Sequence, residues 1–207
     1  MTSRSSPLRR ALAIAAAFFS VLSAHAMSVV PPTFDELVTE AESVVRGQVT
    51  SVRSAYVDTS AGRAIKTFVT LRVERTLKGT PPAADTVTLV FLGGTVGRDT
   101  LEVAGMPSFQ AGDREIVFVT GNGHTICPLI AAGHGRYRVL HDDATDRDYI
   151  ARENRTPLES TAEIVLPLAA VAARLKSPAR ALSPADFETR IAEAVTRLTP
   201  PAAAAQN

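Results

Sequence analysis

A mainly β fold with helices at both ends is predicted by three observations. Ile65, Thr67, Val69, Leu71 and Val73 alternate with Lys66, Phe68, Thr70, Arg72 and Glu74, the two-residue period of a half-buried strand. Ile116-Val117-Phe118-Val119 is apolar at four successive positions, which requires a strand covered on both faces. From Thr161 onward the apolar spacing lengthens to that of helices.

The chain begins with Arg4, Arg9 and Arg10 and no acid, continues through an apolar run from Ala11 to Ala24, and places small residues at Ala24 and Ala26. This is the pattern of a secretory signal peptide over 1–26, cut after Ala26; the apolar run is too short to anchor the chain across a hydrocarbon layer of roughly 30 Å. Removing its three Arg from the 22 basic residues leaves 19 against 21 acids, so the mature chain is slightly acidic. A nucleic-acid partner is thereby disfavoured, because phosphate binding needs a concentrated basic face. Cys127 is the only cysteine, so no internal disulfide is available and the core must hold the domain together. Within Ile-Cys-Pro-Leu-Ile it reads as a buried small hydrophobe. The absence of Trp argues against an aromatic sugar-binding platform.

After Pro31-Pro32, Thr33 and Glu36 have the spacing of a capping box and open a helix to about Glu42, with Phe34, Leu37, Val38 and Ala41 on one face. Ser43 to Val52 predicts a long, bent strand whose phase slips between Val49 and Val52, as a bulge would cause. Asp58 to Gly62 reads as a loop. Lys78 to Pro82 breaks the second strand, and Val87, Leu89 and Phe91 form a third that runs into Gly93-Gly94-Thr95-Val96-Gly97. Leu101 to Val103 is expected as a short strand, with turns at Gly105-Met106-Pro107 and Gln110 to Asp113 leading to the strand Arg114–Thr120. Gly121-Asn122-Gly123 predicts a tight hairpin and Thr125–Ile130 its return strand. Strands around Tyr137 to Val139 and Tyr149 to Ala151 flank a polar loop at 142–146, which completes an antiparallel barrel domain over 27–160. Helices over 161–199 should pack on that barrel. The first is a two-turn helix with Leu168, Val171, Ala172 and Leu175; the second is capped by Ser183-Pro184-Ala185-Asp186 and carries a stripe of Phe187, Ile191, Ala194, Val195 and Leu198. Residues 200–207 read as a disordered tail.

The chemistry-bearing residues form no recognised constellation. His124, His134 and His141 have no metal-ligand spacing and are read as loop or surface residues. Asp142, Asp143, Asp146 and Asp148 offer oxygens for calcium, yet lack the glycine and distal glutamate of an EF-hand, so they read as a solvated hairpin tip. The glycines at 93–97 open no helix and match no phosphate-binding pattern; they read as a bend at a barrel corner, where Val at Gly94 or Gly105 would lower thermal stability. Ser108 lies in no nucleophile elbow, and Asn154-Arg155-Thr156 has only the form of a glycan acceptor. No residue is assigned to catalysis, a cofactor or a metal, and the binding residues stay unassigned.

Several stretches together, Ala-Glu-Ser-Val-Val-Arg-Gly-Gln-Val at 41–49, Leu-Lys-Gly at 77–79, Leu-Glu-Val-Ala-Gly at 101–105 and Asp-Arg-Glu-Ile-Val-Phe-Val at 113–119, resemble the netrin-like domain, the OB-type barrel of the tissue inhibitors of metalloproteinases. They also resemble a group of uncharacterised exported bacterial proteins. The resemblance spans about residues 34–140 and implies a five-stranded OB-like antiparallel barrel, non-enzymatic, with helices outside. It carries no inhibitory residue across, because the mature start Met27-Ser28-Val29-Val30-Pro31 lacks the Cys-x-Cys segment that binds the protease zinc in those inhibitors. The expectation is an exported, periplasmic or secreted, non-catalytic interaction module without cofactor, its partner a co-secreted protease or an envelope protein. A carrier or sensor of a small apolar molecule in the envelope is the second reading. A metal-dependent enzyme, which would need the three histidines to converge, is the third.

Overall fold

The computed structural model describes residues 30–60, 62–168 and 176–199. The predicted signal peptide and tail, and nearly all of the predicted helix at 168–175, lie outside the described residues. Thr33 and Glu36 form the expected capping box, and helix α1 runs over Phe34–Glu40, burying Leu37 and Val38. A second capping box, Ser183 with Asp186, opens helix α2 over Pro184–Leu198, whose Phe187, Ile191 and Ala194 are buried. Each large side chain so buried contributes about 1.5–3 kcal/mol, far more than intrinsic helix propensity supplies.

Between the helices lie eight strands: β1 Ser43–Thr59, β2 Gly62–Lys78, β3 Thr86–Leu92, β4 Gly94–Val96, β5 Asp99–Leu101, β6 Arg114–Val119, β7 Arg136–Asp142 and β8 Arg147–Arg152. Six of them form one antiparallel sheet in the order β3-β2-β1-β6-β7-β8, and β4 with β5 forms a separate two-stranded ribbon. The main sheet therefore has six strands, and strand pairing leaves β3 and β8 as its edges.

The expected slip in β1 is present. Its register with β2 shifts between Val49 and Ser51, so Val52 continues the face that Val45 and Val49 occupy before the bulge. The predicted loop at 58–62 is shorter than expected, because Asp58↔Arg63 and Thr59↔Gly62 are already paired. Three further expectations need correction. The short strand at 101–103 lies two residues earlier, at Asp99–Leu101, where it pairs with β4. The return strand at 125–130 shrinks to a single bridge, Val119↔Leu129, among the described residues. Asn122 is no hairpin residue but a side-chain clamp: its Oδ1 accepts from Val90 N at 3.0 Å and its Nδ2 donates to Thr88 O at 2.8 Å, which occupies the outer edge of β3. Leu92 N also donates to Ile126 O at 2.8 Å, so the segment after β6 touches β6 on one side and β3 on the other.

The two faces of the sheet bury separate cores. Ile116 and Phe118 of β6 join Leu37, Tyr137, Phe187 and Ile191 on the helix side, where the Phe187 ring lies 4.9 Å from that of Tyr137. Val117 and Val119 point the other way, into a core with Val45, Val49, Val69, Leu71, Leu89, Phe91 and Phe109. Both faces of β6 are thus covered, as its unbroken apolar run requires. Buried Glu188 fastens α2 to the sheet through Arg46 at 2.6 Å and Arg75 at 2.7 Å.

Candidate functional site

The second core opens into a groove of about 890 Å³ at the glycine-rich stretch. Its floor comes from the paired residues Val52↔Val69 and Ser54↔Thr67 of β1 and β2, and from Phe91 of β3. Its other wall is the β4–β5 ribbon and the loop from Glu102 to Phe109. Gly93 and Gly94 make this arrangement possible, with φ of +100° and +127°. A Cβ on Gly94 would collide with Ser54 Oγ and Thr67 Oγ1, so the ribbon can cross the sheet here only without a side chain. Those two hydroxyls bond each other at 2.9 Å, and Thr67 Oγ1 reaches Gly93 O at 2.7 Å. The ribbon is secured further by Tyr56, whose hydroxyl donates to the Asp99 carboxylate and whose ring lies 3.9 Å below the Arg63 guanidinium. Among the described residues, Glu102 is the one ionisable side chain lining the groove.

Behind the loop wall lies a buried charge cluster. Arg136 is fully buried, donates from Nε and Nη2 to both oxygens of fully buried Glu115 at 3.1 and 2.6 Å, and from Nη2 to Asp113 at 3.2 Å. Its Nη1 donates to Glu153 at 3.1 Å and to Ser108 O at 2.5 Å, and its guanidinium stacks 3.8 Å over the Phe109 ring. Arg136 therefore holds Ser108 and Phe109 of the groove wall. Arg138 approaches Asp113, Glu115 and Glu153 at 3.6 to 3.9 Å. Three carboxylates thus face two guanidiniums. Burial pushes the Glu115 carboxyl up to about 7 against the opposing pull of Arg136, and also raises Glu153.

The sequence-level candidates occupy separate places. His134, expected at a surface or loop, is buried on a 3₁₀ turn with Nδ1 3.4 Å from Arg152 Nη2, and burial followed by Arg152 lowers its pKa to about 4. His141 meets Asp148 at 3.2 Å on the β7–β8 hairpin, whose Asp143 and Asp146 are solvated as predicted. His124 is exposed in the turn after β6. Among the described residues, no group of three or more His, Cys, Asp or Glu could hold a metal ion. Cys127 is half-buried rather than buried, packed at the margin of the second core with its thiol pushed up by burial. Ser108 enters the site through its carbonyl, not its hydroxyl. Asn154 bonds Leu168 O at 2.5 Å through its amide.

Sequence reasoning missed the Glu115–Arg136 pair, although one signal was present. Glu115 shares the phase of Val117 and Val119, so the strand must carry its carboxylate onto a covered face.

Two buried groups give the protein opposing responses to acid. Stability linked to protonated Glu115 is complete below its ordinary value of 4.5 and is lost as pH rises through about 7. Stability linked to neutral His134 is complete above 6.5 and is lost as pH falls through about 4. Between these limits the two trends offset each other. The Glu115→Gln variant should therefore lose stability on acidification from pH 7.5 to 5, and His134→Asn should gain it. Urea midpoints measured at both pH values check this, and parallel behaviour of the two variants would refute it.

No family model matches the chain, and no curated protein matches it.

Proposed function

We propose that the protein is an exported, non-catalytic interaction module that binds its partner in the groove between the sheet and the Glu102 to Phe109 loop. The observation that carries this reading is the lining itself. Val52, Val69, Phe91, Val103, Met106 and Phe109 supply apolar surface, paired hydroxyls supply the polar points, and Glu102 stands without a second ionisable group with which to divide acid and base roles. Glu115 and Glu153, whose carboxyls burial raises, lie behind the wall, committed to Arg136, which also holds the Ser108 carbonyl. The signal-like segment 1–26 supports export, with a partner in the periplasm or the medium.

The same reading takes the sheet as the wall of an OB-type, netrin-like barrel. Its support is the hydrogen bonding after β6: the ring β1, β2, β3, the segment 126–130, β6 and back to β1 is linked at each step, through Leu92 N to Ile126 O and the Val119↔Leu129 bridge. A barrel closed along that path would have five members around the core of Val45, Leu71, Leu89 and Val117.

Pull-down with the mature chain against the secreted and envelope fractions of its own source tests the function. A co-secreted protease or envelope protein should be captured, and Met106→Asp, which places a charge in the groove, should reduce capture at least about tenfold. Undiminished capture by a folded Met106→Asp variant would remove the groove from the binding surface. The apolar lining at Phe91, Met106 and Phe109 also favours a second reading, a carrier of a small apolar molecule; native mass spectrometry would then show a co-purified ligand.

A further inference from the structure

We propose that the groove accepts an extended, apolar segment of a partner protein that carries one lysine or arginine, an inference that rests on the interaction-module reading above. Two separate features select the charge. At the rim, Glu102 is exposed and has no cation beside it in the lining. Behind the wall, Asp113, Glu115 and Glu153 outnumber Arg136 and Arg138 by one charge when all are ionised, and the member of this net-negative cluster that meets Ser108 and Phe109 is the Arg136 guanidinium. The field of a buried excess charge reaches the groove through protein rather than through salt solution, so it is screened less than that of a surface pair. An anionic segment is disfavoured by both features.

The apolar body follows from the floor, and the extended form from what remains uncovered. Val52 and Leu101 stay exposed at the open side of the groove. A compact molecule seated among Phe91 and Phe109 would leave them in water, whereas a chain running out of the groove covers them. The charge preference is linked to pH. Glu115 faces Arg136 and Arg138 from β7, Asp113 from the turn before β6, and shares Arg136 with Glu153 after β8. Its proton leaves as pH rises through about 7, which completes the negative excess. A cationic segment is therefore held more tightly at pH 8 than at pH 6, and a neutral one is not.

The test uses the mature protein and three acetylated, amidated heptapeptides that alternate valine and threonine around a central lysine, methionine or glutamate, with affinities measured by fluorescence anisotropy at pH 6 and 8. The lysine peptide should bind about two- to fivefold more tightly than the methionine peptide at pH 8, and more tightly than the glutamate peptide by a larger factor. Glu102→Gln, an exposed change that leaves the fold intact, should remove part of the lysine advantage, and Glu115→Gln should remove its pH dependence. Equal affinity for the three peptides, or binding of none, would overturn the inference, as would retention of the neutral dye Nile red in their place. The two readings fail separately: equal peptide affinities with capture still lost in Met106→Asp leave the module standing, while capture unaffected by Met106→Asp removes the groove itself.

Discussion

Replacing Arg136 by Met should destabilise the protein by about 3–5 kcal/mol, because it leaves Glu115 fully buried without its cation. Methionine supplies comparable apolar volume, so the loss reports charge rather than an empty space. For a chain of this size the melting temperature should fall by roughly 6–20 °C. Two further measurements separate this cause from general damage. Stability of the Arg136→Met variant should recover at pH 5 relative to pH 8, since Glu115 can then take up a proton and shed its charge. Adding Glu115→Gln should restore about 1–3 kcal/mol, so that the double variant is more stable than the sum of the single changes implies. Strict additivity would mean that the pair is held apart energetically despite its 2.6 Å contact. In folded Arg136→Met protein, the Ser108 carbonyl and the Phe109 ring lose their tether, so affinity in the groove should fall as well.

Gly94→Val should cost about 2–4 kcal/mol, and Gly105→Val only about 1–2 kcal/mol. Both glycines have positive φ, +127° and +78°, which strains any branched residue. They differ in what a side chain would meet. At Gly94 it strikes Ser54 Oγ and Thr67 Oγ1, which already bond each other and the Gly93 carbonyl, so relief requires opening that network or lifting the ribbon. At Gly105 nothing lies within 4 Å. Thermal denaturation of the two variants distinguishes packing from backbone strain, and equal losses would assign the whole effect to strain. A Gly105→Val protein that melts normally but loses its partner would make the loop tip part of the binding surface.

These two sites mark the limit of what local patterning reveals. The capping box at Thr33, the cap at Ser183, the bulge in β1 and the two-faced β6 were all legible, because each depends on residues close in sequence: a side chain three positions away, a slip in a two-residue period, an unbroken apolar run. The glycine cluster was legible as a bend, and the bend is there. Its consequence was not. Gly93 and Gly94 do not merely turn a corner but carry a ribbon across Ser54 and Thr67 and so hollow out the groove, a relation between positions more than twenty residues apart. Asn122 likewise has the composition of a hairpin turn, yet serves the edge of β3, because an unpaired strand edge thirty-two residues away needs its donor and acceptor more than the turn needs its conformation.

The same division holds for charge. Periodicity places Glu115 on a covered face and so requires a partner for it, but leaves the partner open. Arg136 answers that requirement only because β7 pairs with β6 in the register that sets Val117 opposite Arg136 and Glu115 opposite Arg138. Local sequence dictates which face of an element must be buried, since that follows from the geometry of one strand or one helix. Which distant residues meet there is decided by strand order and register. The groove and the charge cluster behind it belong to that second level: a concave surface and a buried ion cluster exist only between elements.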